Sequence, residues 1–173
     1  MDITVAQVTR PEEMIQMEDF INEHFLADLP LAQAFGLQDC PPPRPSVPMS
    51  GPEDFYVKAT DNQGCTIGVA VNITSPTIQT ELDPPPQIKK FVEFKEFAEE
   101  EAELTRLPER TIELRILAVS KEWRQRGVAR KLTEESMRLA KAAGFEAMRV
   151  CCTSEYTARL ARSLGWREHY RLA

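Results

Sequence analysis

Arg124-Gln125-Arg126-Gly127-Val128-Ala129, followed by Arg130, is the stretch whose residue types could do chemistry. A diphosphate needs free backbone N–H groups, positive charge and a small residue that lets it come close. Gly127 and Ala129 carry no bulk that would block an anion, and Arg124, Arg126 and Arg130 can add charge-assisted hydrogen bonds. The spacing is not G-x-G-x-x-G and no G-K-[ST] follows, which disfavours a dinucleotide or a nucleoside triphosphate. An arginine-rich turn can equally be a plain strand-to-helix connection with solvated side chains, so the flanking elements decide between the two.

Those elements fit an anion site. Ile112, Leu114, Ile116, Leu117, Ala118 and Val119 form a run apolar enough for a central strand buried on both faces. After the loop, Val128, Leu132, Ser136, Leu139, Ala140 and Ala143 mark the inner stripe of a helix that Gly144 ends. Glu146 to Cys152 reads as a short strand, and Ser154 to Leu164 as a helix with Tyr156, Leu160 and Leu164 inward and Gly165 as its stop. Strand, turn, helix and strand make one right-handed crossover, so Thr111 to Cys152 should hold two parallel neighbours. The loop then lies at the positive end of a helix.

Upstream, Ile3 to Val8 reads as a strand and Thr9-Arg10-Pro11-Glu12 as a capping box. The helix it opens buries Met14, Met17, Ile21 and Phe25 and stops at Leu29-Pro30, before a loop or short second helix through Phe35-Gly36-Leu37. Cys40 to Pro52 is proline-rich surface loop, with a P-x-x-P ligand for an SH3-like partner as the alternative. Phe55 to Thr60 and Cys65 to Ile73 predict an antiparallel hairpin around Asp61-Asn62-Gln63-Gly64. Ile88 to Leu104 predicts an amphipathic helix with Phe91, Phe94, Phe97 and Ala98 on one side and glutamates on the other.

With 173 residues, 42% apolar and 28% charged, the chain suits one domain over residues 1–173. A net charge of −6 argues against a nucleic-acid partner, while the basic stretch Lys121 to Lys131 in an acidic protein suits a small anion. No run is long enough to cross a bilayer and no signal peptide opens the chain, so no membrane association and a cytoplasmic address are expected. Cys40, Cys65, Cys151 and Cys152 show no C-x-x-C spacing and only His24 and His169 accompany them, so no metal is expected and the thiols should be reduced. They should behave as small buried hydrophobes; for the adjacent pair Cys151-Cys152, a redox switch is the alternative to two unrelated positions on opposite strand faces.

The loop has the form [RQ]-x-x-G-x-[GA], and through it the chain resembles the GNAT superfamily of N-acetyltransferases. Within that superfamily it is most similar to the insect arylalkylamine (dopamine) N-acetyltransferases. Ile116-Leu117-Ala118-Val119, Ala129-Arg130-Lys131-Leu132-Thr133, Cys152-Thr153-Ser154-Glu155-Tyr156-Thr157-Ala158-Arg159 and Leu164-Gly165-Trp166 carry the likeness. It runs from Arg115 to Trp166 and is weaker at Phe25 to Leu31 and along the Phe91 to Leu104 helix.

The resemblance implies an α/β (α+β) fold, a mixed central sheet flanked by helices, with a splayed parallel pair at the acetyl-CoA site. It implies acetyl-CoA as co-substrate, no metal, and cofactor contacts from Leu117, Ala118, Val119, Arg124, Gln125, Arg126, Gly127, Val128, Ala129 and Arg130. It implies direct acetyl transfer to a small-molecule amine such as dopamine, tyramine, octopamine or serotonin, with a backbone N–H near Val119 stabilising the oxyanion. A CoA-binding protein with little catalysis, or an enzyme acting on polyamines or protein amino groups, are the other readings.

In that family the base is a glutamate just before the proline of F-x-D-E-P-L; here Leu29 holds the position and Asp28 precedes it, either acting through water or capping the turn. Thr153 and Thr157 stand where the family has serines and keep a hydroxyl for substrate or leaving thiolate, and Tyr156 is either an acid or a core residue. The family continues through two more strands, whereas here only Glu168 to Leu172 can form one. A shortened C-terminal strand and a monomer are expected, with sheet-edge completion by a second copy as the alternative. The acceptor pocket should draw on Asp28 to Phe35, Cys40 to Phe55 and Ile73 to Pro86, and an acidic cleft wall would favour cationic amines.

Overall fold

Runs of β-branched and aromatic residues fold into one sheet of five strands in a computed structural model that describes residues 2–25, 28–37, 51–74 and 84–172. The strands are β1 (Thr4–Val8), β2 (Phe55–Thr60), β3 (Thr66–Ile73), β4 (Thr111–Val119) and β5 (Ala147–Arg149), and they neighbour one another in that order. β1 to β4 pair antiparallel, and β4 with β5 parallel, giving the mixed sheet the sequence implies. Asp61 shapes the β2–β3 hairpin, its Oδ1 accepting from the N–H groups of Gln63 and Cys65 at 2.9 Å.

Apolar side chains cover both faces. On one, Met17, Phe20 and Ile21 of α1 (Pro11–His24) pack on Tyr56, Val69, Val71 and Ile116. On the other, Val128, Leu132 and Ala140 of α4 (Val128–Ala142) pack on Val57, Ala70, Ile112 and Leu114. Each fully buried Val or Leu contributes about 1.5–3 kcal/mol. α4 sits close because β3 offers Gly68: a Cβ there would lie 2.9 Å from both Val128 and Leu132. At the far end of α4, Arg110 donates to the carbonyls of Ala143 and Gly144, as a cation at a helix C-terminus should.

Several sequence expectations change here. No side chain caps α1; Arg10 is its N-cap and Pro11 opens it, so Thr9 and Glu12 form no capping box. The short second helix is α2 (Pro30–Ala34). α3 spans Pro86–Glu101, buries no residue fully and leaves Phe97 49% exposed, while Phe91 and Phe94 meet Phe35 instead. α5 (Glu155–Ser163) takes its phase from Ser154, whose Oγ accepts from the Thr157 N–H at 3.2 Å. That phase turns Thr157 and Leu160 inward and leaves Tyr156 55% exposed rather than inward. Ala143 is also exposed, at the helix end.

β5 keeps only the middle of its expected span, and residues 168–172 form no strand; His169 instead meets the Ala102 carbonyl at 2.8 Å. Cys65, Cys151 and Cys152 are free and exposed, not buried as small hydrophobes, because each stands in a turn or past the end of a strand. Cys40, the P-x-x-P spacings and most of the Cys40 to Phe55 and Ile73 to Pro86 segments lie outside the described residues. Among the described residues no helix is long and apolar enough to cross a membrane.

Candidate active site

The two parallel strands part almost as soon as they meet. β5 pairs with β4 only through Ala147, Met148 and Arg149 against Thr111, Ile112 and Glu113, while β4 runs on to Val119. A bulge lies at the parting point: β3 pairs Val71 with Ile116 and Asn72 with Leu114, leaving Arg115 as the extra residue. An extra residue bends and twists its strand, which turns the second half of β4 away from β5. Leu117, Thr133, Val150, Thr157 and Trp166 close around the resulting gap.

The gap exposes backbone groups in a predictable direction. The Ser120 N–H donates to Ile67 O at 3.0 Å, toward β3. Direction alternates along a strand, so the Val119 N–H points the other way, into the gap.

Past Val119, the arginine loop reverses the chain through two left-handed residues, Gln125 at φ 60° and Gly127 at φ 81°. A non-glycine residue in that region costs roughly 1–2 kcal/mol, so Gln125 is held there by its surroundings. Gly127 faces open space, with no atom within 4 Å of where a Cβ would stand. No side chain caps α4, so the first-turn N–H groups of Val128, Ala129 and Arg130 have no intrahelical acceptor and face outward with the positive helix end.

Side chains fix the loop from three sides. Arg126 lies over the Trp123 ring, 5.3 Å from its centroid, and Arg130 donates to Ser163 Oγ at 2.9 Å. Arg124 donates to Val119 O at 3.1 Å and to Asp28 Oδ2 at 2.8 Å, and Lys121 stands 3.3 Å from the other Asp28 oxygen. The Arg124 hydrogen bond, ahead of Lys121, holds the Asp28 carboxyl below its ordinary range against the opposing effect of burial.

A profile of the Acetyltransferase (GNAT) family matches residues 31–166 of this chain. The chain belongs to that family. Its fold is similar to arylalkylamine N-acetyltransferase 2 from Aedes aegypti, at 23% identity and a TM-score of 0.71 over 95% of this chain and 82% of the other. It is similar to the Drosophila melanogaster polyamine N-acetyltransferase that forms N-acetylagmatine, at 19% identity and a TM-score of 0.67 over 95% and 82%. It is also similar to AAC(6')-Iy bound to the bisubstrate analogue CoA-S-monomethyl-acetylneamine, at 15% identity and a TM-score of 0.60 over 100% and 96%. At these identities the likenesses establish the fold and leave the acceptor of this GNAT enzyme to its own side chains.

The residues present fit acetyl-CoA. An uncapped helix end, a glycine opening on space and the cations Arg124, Arg126 and Arg130 match a diphosphate, and the unpaired side of β4 offers backbone partners to an extended amide chain. Of the other residues singled out by sequence, Thr157 borders the gap, with Ser154 Oγ 3.0 Å from its hydroxyl, and Thr153 lines the larger cleft next to it. Tyr156 borders neither.

That larger cleft, of about 1010 Å³, opens between α3, β5, α5 and residues 166–172. Its wall is not acidic: five Lys and Arg side chains line it against Glu99, Glu155 and Glu168, because the other glutamates of α3 face away. Beneath it lies a charge cluster that sequence reading passed over. Glu113, 3% exposed, accepts from Arg149 and stands 3.3 Å from Arg115 Nε, and Glu99 lies 3.7 Å from Arg149. Removing one partner of so buried a pair costs about 3–5 kcal/mol. Two charges, Glu113 and Arg115, inside an otherwise apolar strand were the signal.

Proposed function

We propose that this GNAT enzyme transfers acetyl from acetyl-CoA to the primary amine of an arylalkylamine, of the dopamine, tyramine, octopamine and serotonin type, by direct attack in a ternary complex. The observation that carries the reading is the uncapped N-terminus of α4, with Gly127 open before it, directly after a strand pair that parts.

Bound acetyl-CoA supplies a thioester carbonyl open to a nucleophile. The N–H groups of Val128 to Arg130, with Arg124 and Arg126, hold the diphosphate, and Leu117 to Val119 take the amide chain along the open side of β4. The Val119 N–H, aimed into the gap, donates to the oxygen that gains charge as the amine attacks. The C–N bond forms, the C–S bond breaks, and the proton that the nitrogen sheds after attack passes to the departing sulfur through solvent and the hydroxyls of Thr153 and Thr157.

Arg124 and Lys121 make Asp28 a weak base, so it orders the turn before α2 and holds Arg124, while the amine gives its proton to solvent before attack. Phe35, whose ring centroid lies 5.7 Å from that of Phe91 and 5.5 Å from that of Phe94, offers an aryl ring an apolar wall with them. The cationic lining of the cleft disfavours a polyamine, which carries several positive charges, more than an acceptor with a single amine. The clamped Asp28 favours one second reading, a CoA-binding protein with little turnover.

Release of CoA thiol from acetyl-CoA, against tyramine, dopamine, serotonin, spermidine and a basic peptide, tests this. Turnover of the arylalkylamines above spermidine and peptide is expected; CoA binding with no turnover of any acceptor selects the second reading.

A further inference from the structure

Two polar side chains face each other in the packed layer between α4 and the sheet. Asn72 of β3 and Ser136 of α4 are both fully buried, and the Asn72 amide Nδ2 donates to Ser136 Oγ at 3.0 Å. Ala70, Ile112, Leu114 and Leu132 of the same layer are apolar. The other end of the amide, Asn72 Oδ1, is buried with no hydrogen-bond partner among the described residues. An acceptor left in that state costs folding free energy, whereas an apolar pair of similar volume in the same place is nearly neutral or stabilising. Stability therefore does not account for the pair, and a polar group kept in a core at such a cost points to a functional constraint nearby.

The position of the pair says what that constraint is. Asn72 flanks the bulge: it pairs with Leu114, Val71 pairs with Ile116, and Arg115 is the extra residue between them. Ser136 lies one turn beyond Thr133 on α4, and Leu114 and Thr133 both line the gap where β4 and β5 part. The hydrogen bond thus runs beside the gap, from the strand pair whose bulge turns Val119 toward it to the helix whose first turn is uncapped. From Ser136 back to Val128 is about 12 Å along the helix axis. The apolar contacts of Val128, Leu132 and Ala140 hold α4 against the sheet but are not directional, whereas a hydrogen bond between fixed partners also sets where the helix stands along its axis.

We propose that Asn72 and Ser136 are positioning residues for acetyl transfer: their hydrogen bond fixes α4 against the bulge of β4, and so fixes the diphosphate site at Val128 to Arg130 relative to the oxyanion donor at Val119. The inference rests on the acetyltransferase reading above. The diphosphate and the thioester of acetyl-CoA belong to one chain, so a shift of α4 leaves the diphosphate bound and carries the carbonyl off the Val119 N–H. Binding is kept and turnover is lost.

The test compares the wild type, Ser136→Ala and the double variant Asn72→Leu/Ser136→Ala by kcat with the fastest arylalkylamine, by calorimetric CoA titration and by denaturant midpoint. The double variant should melt at the wild-type midpoint or above it, because no buried polar atom is left without a partner. Its Kd for CoA should stay within about twofold of the wild type while kcat falls by about tenfold, as a misplacement of less than about 1 Å gives. Ser136→Ala, which removes only the hydroxyl, should show the same split between kcat and Kd with a lower midpoint. A double variant with wild-type kcat overturns the proposal, and so does a loss of kcat that CoA binding and midpoint follow in parallel, since that is the mark of a merely structural pair. Should the double variant fail to fold, the split in Ser136→Ala decides alone. Absence of CoA binding or of thiol release in the wild type defeats the acetyltransferase reading itself and is thereby told apart from failure of the positioning role.

Discussion

Asp28 Oδ2 accepts a hydrogen bond from Arg124 Nη2 at 2.8 Å, so the turn before α2 is tied to the loop that leads into α4. The guanidinium placed to meet a diphosphate is therefore already sharing its charge with a carboxylate. Removing that carboxylate frees Arg124 and raises the local positive potential. Asp28→Asn is expected to lower KM for acetyl-CoA by about fivefold at most, the worth of a partly exposed pair, while raising KM for the amine as the turn loosens. Two-substrate initial rates measure both; a higher KM for acetyl-CoA would contradict the shared role of Arg124.

The same contact sets the pH profile. Because Arg124 and Lys121 hold Asp28 below the ordinary aspartate range, it stays ionised throughout the neutral region and supplies no rising limb there. kcat/KM should climb with pH until the acceptor amine is neutral, and Asp28→Asn should leave the shape of that limb unchanged. Shifting the limb by changing the basicity of the amine is the check; a limb that stays fixed while the amine changes would point to an enzyme base.

Glu13 joins α1 to β2 through Lys58 and to Arg10, and its hydrogen bond with Lys58, ahead of that with Arg10, lowers its pKa to about 2. A depressed carboxylate pKa contributes stability that is present above the unfolded value, about 4.3, and is lost as pH falls through the folded one. The wild type should therefore be more stable than Glu13→Gln at pH 6, and the gap should close between about pH 4 and 2. Chemical denaturation at stepped pH reads it out, and a constant gap would refute the assignment.

The fold was legible in the sequence where pattern and punctuation agree. The run from Ile112 to Val119, the helical stripe from Val128 and the glycines at 127 and 144 place β4, the loop and α4 without ambiguity, because each local preference points the same way. Where competing preferences of similar strength meet, reading failed. Tyr156 looked inward on spacing alone, but Ser154 fixes the phase of α5 through a side-chain cap that spacing does not encode. Most glutamates of α3 face solvent as their spacing implies, whereas Lys95 and Arg149, 54 positions apart, come to line one cleft only through the fold, which no local pattern encodes. The partner of Asp28 likewise lies 96 residues away, beyond the reach of any local pattern.

Gly68 illustrates a position whose role no motif announces. A Cβ there meets Val128 Cγ1 and Leu132 Cδ1 at 2.9 Å and Ala118 O at 3.2 Å, so Gly68→Ala must push the start of α4 off β3. A loss of about 1–3 kcal/mol is expected, with KM for acetyl-CoA raised more than KM for the amine, since the first turn of α4 moves with it. Denaturant melts and two-substrate kinetics separate the two effects, and a neutral Gly68→Ala would show that the helix start has slack.

The central claim is that acetyl-CoA is held by the Arg124 to Arg130 loop at the start of α4. Calorimetric titration of acetyl-CoA into the wild type and into the double variant Arg124→Glu/Arg126→Glu tests it most directly. The account predicts saturable one-to-one binding to the wild type and its loss in the double variant, whose melting should remain cooperative because both side chains lie at the surface outside the core. Binding of equal strength by both proteins would contradict it.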